Sequence, residues 1–70
     1  MITTRFEFGQ TITETTDSDR ATTSRFDGAR VWVCFGRMER GDFIVAHRKQ
    51  SRPYKTVTGA DKAIAAWVNN

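Results

Sequence analysis

Four cations stand within eight residues near the end of the chain: Arg48, Lys49, Arg52 and Lys55, with Gln50, Ser51, Pro53 and Tyr54 among them. Guanidinium and ammonium groups this close together neutralise phosphates, and a tyrosine between them offers a ring on which a base can stack. The same set would meet an acidic protein surface, and a solvated loop also carries such charge. A tyrosine here can equally pack on a sheet edge with its hydroxyl in water. The second candidate is the pair Arg30 and Trp32, two residues apart in a strand pattern and therefore on one face of it. An exposed tryptophan beside an arginine suits stacking and phosphate contact. A Trp32 that covers a second sheet face would instead be a packing residue.

Covalent or metal chemistry finds little support. Cys34 is the only cysteine and His47 the only histidine. They fall on neighbouring expected strands, but no third group is placed to orient the pair. One Cys and one His are too few ligands for zinc. The glycines are scattered at turns, so no phosphate-cradling loop forms. The carboxylates are spread through loops, with no pair set on one element. The sequence therefore reads as a non-enzyme with no metal and no cofactor.

Charge sharpens the binding reading. The net charge is +3 over 70 residues, divided as −2 over residues 1–28 and +5 over residues 29–70. An asymmetry of this kind points to a polyanion met by the second half. The length fits a single domain spanning residues 1–70. A lone cysteine fits a reducing compartment. The stretch from Met1 to Arg5 lacks a signal-type apolar core, and no apolar run is long enough to span a bilayer. The expected location is the cytoplasm.

The elements that must position these residues read as follows. Ile2, Thr4, Phe6 and Phe8 alternate with Thr3, Arg5 and Glu7, and Ile12 returns to the first parity. That is one half-buried strand, bent at Gly9. Residues 15–20 are a polar turn. Ala21 to Phe26 forms a short strand, and Asp27-Gly28 signals a two-residue hairpin. Ala29 to Arg37 is the clearest strand, with Ala29, Val31, Val33 and Phe35 on one face and Arg30, Trp32, Cys34 and Gly36 on the other. A turn at Arg40-Gly41 leads to a strand from Phe43 to Arg48. Pro53 suits a strand start or an edge, and Tyr54 to Val57 makes a last short strand. A helix begins with Thr58 as N-cap and Asp61 three residues on. It presents Ala60, Ile64, Trp67 and Val68 to the sheet and Lys62, Ala65 and Asn69 to water. The fold class is α+β: an antiparallel sheet of four or five strands with one C-terminal helix packed on a face.

The segment from Ala29 to Asn70 resembles small DNA-binding domains built from three antiparallel strands and a C-terminal helix. These are the arm-binding domains of tyrosine recombinases, the plant ethylene-response-factor domain and a small bacterial cell-division activator. The residues that carry the likeness are Arg30-Val31-Trp32-Val33, Phe43-Ile44-Val45, and Tyr54-Lys55-Thr56-Val57-Thr58 leading into Ala60 to Trp67. The resemblance implies that the sheet enters the major groove while the helix braces its back. It implies that Arg30 and Trp32 face bases or backbone, and that Arg48, Arg52 and Lys55 hold phosphates. Residues 1–28 depart from the pattern and could cover the reading face.

Two functions follow as expectations. The first is a nucleic-acid-binding accessory protein using Arg30, Trp32, Arg48, Lys49, Arg52, Tyr54 and Lys55. The alternative is a small inhibitor or adaptor, of the phage or plasmid type, that docks on a host protein through an acidic surface of that partner. An edge strand on so small a core also suits a homodimer.

Overall fold

The computed structural model describes residues 1–46 and 51–69. They form strands β1 (Ile2–Glu7), β2 (Gln10–Thr15), β3 (Arg20–Phe26), β4 (Val31–Glu39), β5 (Asp42–Val45) and β6 (Arg52–Tyr54), followed by helix α1 (Val57–Val68). The strands make one antiparallel sheet in the order β1-β2-β3-β4-β5, with β6 also paired to β4. β5 lies beside residues 36–39 of β4 and β6 beside residues 31–33, so the long β4 is flanked on one side by two short strands. This is the expected α+β architecture, with six strands.

The extra strand comes from a turn the sequence conceals. The expected bent strand over residues 2–13 is in fact a hairpin. Phe8 and Gly9 both have positive φ, 54° and 76°. Two consecutive left-handed residues give the turn whose twist matches a hairpin. The fold-back reverses facing, so Ile12 pairs with Arg5 rather than sharing a face with Ile2, Thr4 and Phe6. Every residue of β1 is exposed, which corrects the half-buried expectation. Arg40 and Gly41 repeat the same turn, at φ 55° and 86°, between β4 and β5.

Helix α1 lies over β3 and β4 and reaches β2 and β6. Val33 and Phe35 of β4 meet Ala60 and Ile64 of the helix, with Val31, Tyr54, Ala63 and Trp67 packed around them. Under the helix, β2 and β3 contribute Thr13, Thr15, Thr22 and Ser24, all buried, where aliphatic residues would be usual. Trp67 fastens the helix. Its Nε1–H donates to the Gly36 carbonyl at 2.9 Å, its ring meets Phe35 edge-on at 5.8 Å, and the Arg20 guanidinium lies 4.2 Å from its ring centroid.

The helix begins at Val57, within two residues of the expected start, but its cap differs. Thr56, not Thr58, is the N-cap, with its Oγ1 accepting from the Gly59 N–H at 3.1 Å. Val57 is therefore helical, and the last strand ends at Tyr54. Asp61 falls beyond the first turn and caps nothing. Among the described residues no helix is long and apolar enough to cross a membrane.

Candidate functional site

Because α1 occupies one face of the sheet, no described element covers the other, called here the open face. Strand pairing fixes which side chains share it. Val33 and Phe35 point to the helix, so Trp32 and Cys34 point away, as do Arg25 and Thr23, their partners on β3. The face continues through Ile12 and Arg5 on one side and Pro53 on the other. Residues 1–28 supply β1, β2 and β3, which extend this surface rather than fold over it.

At one end of the open face Arg25 stands directly opposite Trp32, with Pro53 on the far side of the indole. Arg25 is exposed and Trp32 half-buried. Gln10, Thr23, Cys34 and Ser51 complete a shallow pocket around the pair. Arg30 is exposed in the adjoining turn.

Asp27 organises this end. Its Oδ1 accepts from the Ala29 and Arg30 N–H groups at 3.0 and 2.8 Å, and its Oδ2 accepts from Trp32 Nε1–H at 2.6 Å. The hydrogen bond from Arg30, then that from the indole, then that from Ala29 hold the carboxyl well below its ordinary range, at about 2. The indole N–H is thus spent within the protein, and what Trp32 offers a ligand is its π face. The turn centres one residue later than the expected Asp27-Gly28, because the Asp27 N–H donates to the Arg30 carbonyl at 3.1 Å and leaves Gly28-Ala29 at its tip. β3 ends at Phe26 and β4 begins at Val31, so four residues, 27–30, make the connection. That difference moves the register by two. A turn centred on Asp27-Gly28 would have placed Arg25 opposite Arg30, whereas the observed turn places it opposite Trp32.

The sequence-derived candidates do not all meet. Asp27 holds the Arg30 backbone N–H and the Trp32 indole on one carboxylate, with the Arg30 side chain exposed in the turn. Arg52 is exposed but pairs with Val33, which puts it on the helix side of the sheet. Tyr54 is half-buried against the core under the helix. Lys55 is exposed in the link to α1. Arg48 and Lys49, with His47 and Gln50, lie outside the described residues. Arg25 and Asp27 were missed by the sequence reading. The Asp-Gly pair was a signal for the turn but not for its centre.

The remaining charges of the open face are internally matched. Arg5 is paired with Glu14 at 2.9 Å and Glu7 at 3.2 Å. Those hydrogen bonds raise its pKa, that of Glu14 more than that of Glu7. Arg25 and Arg30 make no ion pair among the described residues. Cys34 is half-buried on this face, and no group of three metal-ligating side chains occurs among the described residues. Among known proteins, no family model, no curated protein and no solved structure matches the chain.

Proposed function

We propose that the protein is a non-enzymatic nucleic-acid-binding accessory protein that uses the helix-free face of its sheet. The observation that carries this reading is the juxtaposition of Arg25 and Trp32 on an uncovered face, with Arg30 in the adjoining turn. A locked aromatic ring opposite one exposed arginine, with a second arginine in the adjoining turn, supplies stacking and phosphate contact together. Asp27 stays ionised here, with its oxygens turned to N–H donors of the turn and the indole, and its charge is partly offset by Arg25. Of the sequence-adjacent cations, Arg52 lies on the helix side of the sheet and Lys55 in the link to α1, so neither belongs to this face.

The test is a salt titration of short duplex and single-stranded DNA by fluorescence anisotropy. Each phosphate contact on a duplex contributes about −0.9 to the slope of log K against log salt. Changing Arg25 and Arg30 together to alanine should flatten the slope by about 2. Trp32→Ala should weaken binding by about 1–3 kcal/mol with little change of slope, since stacking releases no ions. No binding at about 50 mM salt by the folded protein would overturn the reading. Such a result would favour a protein partner instead, for which Met38, Phe43 and Val45 form an apolar row at the other end of the same face.

A further inference from the structure

Among the described residues the sheet has two free edges, and they are unlike. The β5–β6 side is broken into strands of four and three residues and carries Pro53, which has no N–H to donate. Short strands and proline are common ways of blunting an edge. The β1 side is six residues long, unbroken, and contains neither lysine nor proline. Its one cation, Arg5, is neutralised within the chain by Glu7 and Glu14. No strand pairs with its outer side among the described residues. Ile2 and Phe6 remain 44% and 72% exposed on it.

The direction of the free backbone groups follows from the hairpin. A two-residue turn is closed by a hydrogen-bonded pair, here Glu7 and Gln10, and such pairs recur at every second residue. Met1 keeps that parity, since its carbonyl accepts from the Thr16 N–H at 2.9 Å. Met1, Thr3, Arg5 and Glu7 therefore face β2 with their peptide groups. Ile2, Thr4 and Phe6 direct theirs outward.

We propose that β1 pairs with β1 of a second copy, antiparallel about a two-fold axis at Thr4. This register opposes Thr4 to Thr4 and Ile2 to Phe6, so all three outward N–H and all three outward C=O groups of each copy are joined. It places the two exposed apolar side chains against each other on the helix side, twice by symmetry. A shift one way centres the axis on Thr3 and leaves Phe6 without a partner. A shift the other way centres it on Arg5 and sets like charges opposite, which is unfavourable. A two-fold pairing of this kind closes on itself and ends with the dimer. The interface is one strand pair, small beside the roughly 1,200–2,000 Å² of stable complexes, so a dissociation constant in the micromolar range is expected. The inference rests on the β1 edge and not on the Trp32 face.

Sedimentation of the full chain over about 10 μM to about 1 mM should show a monomer–dimer equilibrium. Thr4→Pro deletes the N–H at the axis, which β2 does not use, so the monomer should fold as before while association weakens at least tenfold. Cysteine placement reads the register in a Cys34→Ser background. Thr4→Cys should cross-link on oxidation, and Thr3→Cys and Arg5→Cys should not. A wild-type protein that stays monomeric at about 1 mM overturns the proposal. So does a folded Thr4→Pro protein that still dimerises, or cross-linking strongest at position 3 or 5. Should Thr4→Pro fail to fold, the cysteine series decides alone.

Discussion

Three contacts of Trp67, with Gly36, Phe35 and Arg20, tie the helix to the sheet, and their removal can be graded. Trp67→Phe keeps an aromatic ring against Phe35 but loses the hydrogen bond to the Gly36 carbonyl, worth about 1 kcal/mol net. It also weakens the Arg20 contact, worth about 0.5–1 kcal/mol at a partly exposed site. The expected loss is about 1.5–2 kcal/mol in all. Trp67→Ala removes the ring itself and should cost about 3–5 kcal/mol. A domain of 70 residues has about 4–10 kcal/mol to lose. The phenylalanine variant should therefore fold, and the alanine variant should be marginal. The assay is urea unfolding followed by far-ultraviolet circular dichroism. With a slope near 1 kcal/mol per molar urea, Trp67→Phe should lower the midpoint by about 1.5–2 M. A double-mutant cycle with Arg20→Gln isolates the cation–ring contact and should return a coupling of about 0.5–1 kcal/mol. A Trp67→Phe midpoint within about 0.3 M of wild type would refute the role given to the Gly36 hydrogen bond. A zero coupling would refute the role given to Arg20.

Asp27 makes stability depend on acid. Its folded pKa, about 2, lies below the ordinary value of 3.8, so its contribution is full above that value and is lost as pH falls towards 2. The Trp32 indole N–H resonance should keep its hydrogen-bonded shift down to about pH 3 and move below it, and in Asp27→Ala it should be displaced at every pH. Thr56→Ala should cost about 1 kcal/mol by removing the N-cap, while Thr58→Ala, inside the first turn, should cost less; equal effects in thermal melts would place the cap wrongly. Phe8 is a bulky residue at positive φ and is 97% exposed. Phe8→Asn should raise stability by about 1 kcal/mol, and a loss would mean that the ring packs where the structure shows it open.

The parts of the fold that the sequence declares are those where pattern and packing agree. β4 alternates strictly because one face meets the helix and the other the open side, so Val31, Val33 and Phe35 could be separated from Trp32 and Cys34 by period alone. The helix face of Ala60, Ile64, Trp67 and Val68 was legible for the same reason. Turns were legible only where residue type reports the backbone. Arg40-Gly41 was read, since glycine marks a left-handed position. Phe8-Gly9 was not, because a phenylalanine continues an apolar alternation and gives no hint of positive φ. The cap was placed two residues late because β-branched Val57 reads as strand, while Thr56 and Thr58 are chemically equal caps. What selects Thr56 is that β6 ends at Tyr54, which no local pattern states. The candidate site suffered most from where the turn is centred. Arg25 became Trp32's neighbour through a side-chain cap by Asp27 on two backbone N–H groups, a tertiary choice that the Asp-Gly pair permits without specifying.

The two proposals use different parts of one sheet, and their geometry together leads to a further test. Edge pairing at β1 consumes groups in the plane of the sheet and leaves the Trp32 face open in both copies. From one β4 to the other, the path runs through β3, β2 and β1 and back through their symmetry mates, seven strand steps. At a twist of about 20–25° per step, the two open faces are turned by about 140–175° and look away from each other. A dimer of this shape cannot grip one short duplex with both faces. It should instead hold two duplexes, one on each side. Energy transfer between a donor-labelled and an acceptor-labelled duplex should therefore appear when wild-type protein is added above its dimerisation midpoint. Thr4→Pro should abolish the transfer and leave the affinity for a single duplex unchanged. Changing Arg25 and Arg30 to alanine should lose both signals while the dimer persists in sedimentation. Bridging that survives in a monomeric Thr4→Pro protein would show that a second surface of one copy binds nucleic acid, and would remove β1 from the account. Loss of single-duplex affinity in the same folded variant would mean that the binding face spans the two copies, contrary to the outward turn that the twist requires.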